Sequence, residues 1–531
     1  MSQPRPRALV GALAALLFVA CTAQPMPDPS TPPPVAADAE SDVNAQPRDR
    51  LRDGGLLRFP LAELPTQWNP RHPDAEAGTQ RVLAALNPTH LTLDAAGRAT
   101  PNPDFVADLA VEHGDRTVVT LDLVERAVWG DATPITAADW VATWRAASGQ
   151  VPDLRFASSD GWERVAEVRE GANPRQVVVT FHDVDPDWAQ PLVAGPLPAA
   201  TLATADAFTW GAFEDGHHTG PFLVTHVDTV QGLVTLERNP LWWGDRPKLD
   251  TIMFRTVPEE ALAAAFQHNE LDAWDTGPSA DRVEQAQVAA DAAVREAPGV
   301  TGRVLKVSRS GALADLQVRR AVLMALDRAK VGVHDLPDGV EAPRAWSDPL
   351  VLPTQPGYVD QARATGLSSD TARAGQLLDE AGWELRAGRR MKEGQLLTLS
   401  VLVPAGDERA AEELEDLGNQ LDAVGVGVKP VTADADLTPA SVRVGAFPWA
   451  QMPDAVATTV GAPELAEEVS DEADPVRRAD QASQLARLLW QDVVTIPLYQ
   501  EPEFVAVRQG LANLGAHGFA TTDWEDVGWT S

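Results

Sequence analysis

The stretch Val128-Trp129-Gly130-Asp131-Ala132-Thr133-Pro134-Ile135-Thr136-Ala137-Ala138-Asp139-Trp140 compresses a loop and a helix start into a few residues. Asp131 and Thr136 carry short oxygen-bearing side chains, placed to tie the loop and to cap a helix running through Trp140 to Trp144. Strand patterns flank it. Arg116 to Leu123 sets Val119, Leu121 and Leu123 on one face, and Val177-Val178-Val179-Thr180-Phe181 is a second candidate strand. Leu233 to Leu236 and Ile252 to Val257 follow. Further on, Leu397, Leu399, Val401 and Val403 alternate with their neighbours at a period of two.

Helical spacing is clearest in the second half. Val318, Ala321, Val322, Ala325 and Leu326 mark one face, and Leu414, Leu417, Leu421 and Val424 mark another. Asp370 is placed to cap a helix carrying Ala374, Leu377 and Leu378, which Gly382 stops. Asp474-Pro475 is a helix start, with Leu485 and Leu489 facing inward, and Thr495 to Tyr499 is a last strand. The reading is α/β with mixed sheets. Residues 51–298 are strand-rich, 299–490 helix-rich, and 491–531 return to the opening character, as a first lobe built from both ends of the chain would.

The N-terminus sets an expected compartment. Arg5 and Arg7 precede an apolar stretch, Ala8 to Ala20, that is shorter than the roughly 20 residues a bilayer needs. A charged start, a short apolar run and small residues at its end make residues 1–20 a signal peptide. Cys21 follows at once and is the only cysteine. The context Leu17-Phe18-Val19-Ala20-Cys21 resembles a bacterial lipobox, which implies lipidation at Cys21; ordinary cleavage near Ala23 is the alternative. Residues 21–50, with Pro25, Pro27, Pro29 and Pro32-Pro33-Pro34, read as an extended tether. The expected location is extracytoplasmic, held to the membrane by the lipid.

Residues 51–531 are too many for a single core. A net charge of −34 excludes a polyanion such as nucleic acid as partner. Catalytic signatures are missing: there is no Gly-x-Ser-x-Gly, His-Glu-x-x-His or phosphate-binding loop, and no cysteine pair for zinc. His217-His218 lacks further ligands at metal spacing and reads as a surface turn before Gly220-Pro221. No cofactor or metal is expected, and binding is favoured over catalysis.

Other segments fall in a recognisable order. They include Gly54-Gly55-Leu56-Leu57-Arg58 with Trp68-Asn69-Pro70, Leu93-Asp94 to Pro101-Asn102-Pro103, and the opening stretch above. Then come Gly220-Pro221-Phe222, Glu237-Arg238-Asn239-Pro240-Leu241-Trp242-Trp243-Gly244, Asn269-Glu270-Leu271-Asp272, and Val318-Arg319-Arg320-Ala321 to Leu326-Asp327-Arg328. Leu377 to Trp383 and Thr495-Ile496-Pro497-Leu498-Tyr499 close the series. Together they resemble the family 5 extracytoplasmic solute-binding proteins of peptide, opine and nickel ABC transporters. Trp144-Arg145-Ala146, Ser158 to Val165 and Asp187-Trp188 resemble an actinobacterial lipoprotein branch that includes a lipoprotein linked to phosphatidylinositol mannoside and lipoarabinomannan synthesis.

The resemblance implies a two-lobed periplasmic-binding-protein-like fold, type II, of the peptide-binding cluster, with mixed sheets and a hinge cleft. Lobe I would span 51–298 with an inserted subdomain at about 90–215, lobe II 299–490, and 491–531 would return to lobe I. It implies a monomer that takes a small molecule, a peptide or a glycolipid in the cleft and presents it to ABC permease subunits. Peptide binders of the family hold the ligand amine with an aspartate from a segment opening with tryptophan. Here that segment is Phe447 to Asp454; Met452 takes the aspartate's place, with Asp454 close by. Some also carry arginine after a Leu-Pro pair, where this chain has Thr354. A cleft lacking both ion partners would bind peptide termini poorly, and an uncharged, glycosidic or lipid-like ligand is the alternative. The chain has 16 Trp against 2 Tyr, and tryptophan faces suit sugars and apolar chains. The expected cleft residues are Trp68, Asn69, Trp346, Thr354, Trp449, Met452 and Asp454.

Overall fold

The structure is a computed structural model that describes residues 40–334, 336–337, 343–450 and 458–531. Cys21, the signal peptide, most of the tether, Met452 and Asp454 lie outside the described residues.

The capped stretch forms as its chemistry requires. Helix Ala137–Ala147 opens with a capping box: the Thr136 N–H donates to Asp139 Oδ2 at 2.8 Å, and the Thr136 side chain faces the Asp139 backbone. Asp131 Oδ1 accepts from the Thr133 N–H at 2.9 Å and its hydroxyl at 2.6 Å, closing the loop before it. The helix lays Trp140 and Trp144 against an antiparallel sheet ordered Val106–His113, Thr117–Leu123, Gln176–Phe181, Val165–Glu170. The alternation Val119, Leu121, Leu123 becomes the buried face of that sheet.

A second four-stranded sheet is ordered Leu56–Leu61, Thr251–Thr256, Leu233–Arg238, Phe222–Asp228, with the first pair parallel. Its core also draws on Val505, Val507, Leu511, Leu514, Ala516, Trp524 and Val527 from the far end of the chain. Residues expected at the end of the tether are docked here: Asp42 pairs with Ala516, and the Gln46 N–H donates to Asn513 Oδ1 at 2.8 Å. Asp42 to Gln46 are thus held against the core rather than extended away from it.

A six-stranded mixed sheet runs Ala273–Asp275, Thr495–Arg508, Ala292–Val307, Leu437–Arg443, Thr398–Leu402, Gly427–Val431. Thr495–Arg508 and Ala292–Val307 are antiparallel over nearly their full length, with register shifts between Pro298 and Gly302 and between Arg303 and Val304. One end of this pair is flanked by Ala273–Asp275 and feeds the first core. The other is flanked by Leu437–Arg443 and feeds a separate core with helices Leu316–Ala325, Thr371–Glu380, Glu408–Asp422 and Pro475–Asp492. Two long strands thus serve both bodies of a two-lobed fold. Asp370 and Asp474 cap their helices, each accepting from backbone N–H groups of the first turn.

Gly302 sits at the register shift because nothing larger fits: a Cβ there would run into the Trp346 ring. His217-His218 departs from the surface turn expected of it. His218 is buried, stacked on Phe213 at 4.7 Å and bonded to Asn87, while His217 lies against Trp210 at 4.4 Å. Aromatic neighbours and a partner distant in sequence draw the pair inward.

Candidate functional site

A cavity of about 790 Å³ is lined by the first body, by the long strand Thr495–Arg508 and, from the other body, by Arg443. Its floor is built by strand pairing: Phe59 and Phe254 are register partners on parallel strands, with ring centroids 6.2 Å apart. Arg81, on helix Ala77–Ala84, stands over the Phe59 ring at 5.0 Å, and its Nη2 is 3.8 Å from Asp275 Oδ2. Asp275 ends the short strand paired to Val505. Glu503 comes from the long strand, and its Oε2 accepts the Gly518 N–H at 3.0 Å and the His517 N–H at 3.2 Å. That bond anchors the loop carrying His517, Phe519 and Trp524, all on the cavity wall.

The opposite body supplies Arg443, at the end of Leu437–Arg443, where it pairs in register with Thr301. Arg443 is exposed and makes no ion pair among the described residues. The cavity therefore holds two cations, Arg81 and Arg443, two carboxylates, Asp275 and Glu503, and four aromatic rings. Such a volume falls in the range of roughly 300–1,000 Å³ usual for small-ligand sites. The mix offers partners to a ligand carrying charge of both signs on an apolar body.

None of the described residues expected at the cleft lines this cavity. Trp68 is buried, edge-on to Phe213 at 5.3 Å, with its backbone N–H donating to the Trp210 carbonyl at 2.8 Å. Asn69 is fully buried; its Nδ2 donates to the Phe208 carbonyl at 2.8 Å and its Oδ1 accepts the Arg71 N–H at 3.0 Å. Trp346 is buried beside Val304 and Leu352, and its indole donates to the Val351 carbonyl at 2.8 Å. Thr354 accepts from Gln500 Nε2 at 2.9 Å. Trp449 is half-buried, with the Arg478 guanidinium 4.9 Å above its ring.

The charged residues of the cavity carry no local signal in the sequence. Arg81, Asp275, Arg443 and Glu503 come from four separate elements, and only the sheet order brings them together.

The model of bacterial extracellular solute-binding proteins, family 5, matches residues 100–460. The oligopeptide-binding protein OppA of Mycobacterium tuberculosis is 30% identical, over 93% of this chain and 88% of its own. A probable monoacyl phosphatidylinositol tetramannoside-binding protein of the same organism, LpqW, is 26% identical over 80% of this chain and 70% of its own. Among solved structures, the periplasmic EDTA-binding protein EppA superposes with a TM-score of 0.79 at 20% identity, covering 92% of this chain and 98% of that one. These relatives are substrate-binding proteins, not enzymes. With the two-lobed fold and the cavity between its bodies, the chain belongs to the family 5 bacterial extracellular solute-binding proteins.

Proposed function

We propose that this chain is the lipid-anchored extracytoplasmic receptor of an ABC transporter, and that it takes oligopeptides in the cleft. The observation that carries this reading is the cavity's charge pattern: Arg443 and Arg81 offer partners to a ligand carboxylate, Asp275 and Glu503 to an ammonium. Phe59, Phe254, Phe519 and Trp524 supply apolar surface between them. Similarity to an oligopeptide-binding protein over most of both chains supports the same ligand class. Lipidation at Cys21 would keep the receptor beside its permease, working as a monomer.

A second reading is favoured by the similarity to LpqW: an envelope lipoprotein that binds or senses a glycolipid intermediate and feeds no transporter. The experiment is uptake of a radiolabelled oligopeptide by the source bacterium with and without this gene. Loss of uptake, restored by the intact chain, is the expected result. Unchanged uptake together with altered phosphatidylinositol mannosides would establish the second reading instead.

A further inference from the structure

A second cavity, of about 320 Å³, shares Gln80, Ala84, Asn87, Pro88 and Thr89 with the cleft cavity. Its distinctive wall residue is Arg71, which follows the Trp68-Asn69-Pro70 loop and is 8% exposed. Arg71 Nη2 donates to the Gly195 carbonyl at 2.8 Å, while Nη1 has no hydrogen-bond partner among the described residues. The nearest carboxylate oxygen in an ion pair with it, Asp160 Oδ2, stands 3.6 Å from Nη1 on a half-exposed side chain.

Other buried arginines are better served. Arg295 donates to three carbonyl oxygens, of Val43, Leu511 and Leu514. Arg303 holds both oxygens of Glu413 and the Ser441 hydroxyl. Arg478 holds both oxygens of Asp187 and the Val469 carbonyl. A buried cation without such partners is costly by several kcal/mol, so an acceptor reaching Arg71 Nη1, itself buried and 3.6 Å from Asp160 Oδ2, would relieve that cost.

Its neighbours point the same way. The indole N–H of Trp129, which can only donate, is buried without a partner among the described residues, as are the Thr89 hydroxyl and both ring nitrogens of His90. Arg71 Nη1 and the Trp129 indole can only donate, Thr89 and the His90 ring can each donate and accept, and the Asp160 carboxylate on the same wall accepts. A carboxylate, with acceptor sites on both oxygens, complements an arginine better than a neutral amide does.

We infer that this side pocket receives a carboxylate borne on a side chain of the bound peptide, with Arg71 as its partner. The inference rests on the peptide-receptor reading and sharpens it to acidic peptides. Burial pushes the His90 imidazole down to about 3, so the ring is neutral at physiological pH and adds no second charge. Gln67 and Asn69 steady Arg71. Gln67 Oε1 accepts the Asn69 N–H at 2.9 Å, and Asn69 in turn holds the backbone of Arg71.

The test is calorimetric titration of the full chain with hexapeptides identical except for one Glu or Gln moved through each position, each also made as the C-terminal amide. At one position Glu should bind at least about tenfold more tightly than Gln, the size of a charge-assisted hydrogen bond. The preference should survive amidation and disappear in Arg71→Gln. If Arg71→Gln fails to fold, Trp129→Phe should shrink the preference about threefold, the size of one neutral hydrogen bond. Peptides that bind with no Glu preference, a preference that amidation abolishes, or one that both variants retain would overturn the inference and leave the receptor reading standing. If no peptide binds and dioctanoyl phosphatidylinositol does, both fail together.

Discussion

Arg478 and Asp187 form a two-pronged, buried ion pair, with Arg478 Nη1 donating to Asp187 Oδ1 at 2.9 Å and Nη2 to Oδ2. Arg478 belongs to helix Pro475–Asp492, packed on the core of the second body. Asp187 lies just beyond the antiparallel sheet that ends at Phe181. Nε of Arg478 also donates to the Val469 carbonyl at 2.8 Å, so the guanidinium is held on its own side before it reaches across. The pair joins helix Pro475–Asp492 to the segment that follows strand Gln176–Phe181.

Arg478→Ala should therefore release that contact. The unpaired Asp187 would be left buried, and hinge opening about the long strands relieves it. Small-angle scattering of the ligand-free variant should show a larger radius of gyration than the parent. An unchanged radius would mean that the pair does not hold the bodies together.

A second ion pair stabilises one body internally. Arg303 Nε and Nη2 donate to the two oxygens of Glu413, each at 2.6 Å, and Glu413 has no exposed surface. Glu413→Gln leaves a buried guanidinium without its counter-charge, and should cost about 3–5 kcal/mol in urea unfolding. Replacing both partners, Arg303→Met with Glu413→Leu, should restore most of that loss. If the double replacement unfolds as readily as the single one, the desolvation argument is wrong here.

Asp348 gives the fold a pH dependence. It is almost wholly buried, and that burial pushes its carboxyl up from 3.8 to about 7, although its Oδ1 accepts the N–H groups of Leu350 and Val351. Its folded value lies above its unfolded value, so the folded state binds more protons between pH 3.8 and 7. Its contribution to stability is complete below that window and is lost as pH rises through it, by up to about 1.4 kcal/mol per pH unit. Asp348→Asn should remove this dependence. Urea midpoints of the parent and variant should then agree near pH 4 and separate by pH 8, with the variant higher. Parallel midpoint curves would contradict the assignment.

How much of this was legible follows from where the signals lie. Helix starts at Thr136, Asp370 and Asp474 are local chemistry, and they stand where the residues put them. The long strands are not local. The sequence marks a last strand at Thr495 to Tyr499, and pairing with Ala292–Val307 carries it on to Arg508. Trp68 and Trp346 look like cleft residues because they sit in loops, but those loops are folded over core. The cavity's charged wall was invisible for a related reason: Arg81, Asp275, Arg443 and Glu503 each lie in an unremarkable stretch, and tertiary pairing alone makes them neighbours.

In the proposed receptor, opposed charges in the cleft bind oligopeptides. Calorimetric titration of the full chain with a mixed tripeptide-to-octapeptide library tests it most directly, alongside Arg443→Ala and Glu503→Gln. Arg443 is exposed and makes no ion pair among the described residues, so its removal should leave thermal unfolding within about 0.5 kcal/mol of the parent. Peptides should bind at micromolar concentration, and each substitution should weaken binding about tenfold, roughly 1.4 kcal/mol. Absence of binding to any peptide, or binding indifferent to both substitutions, would contradict it.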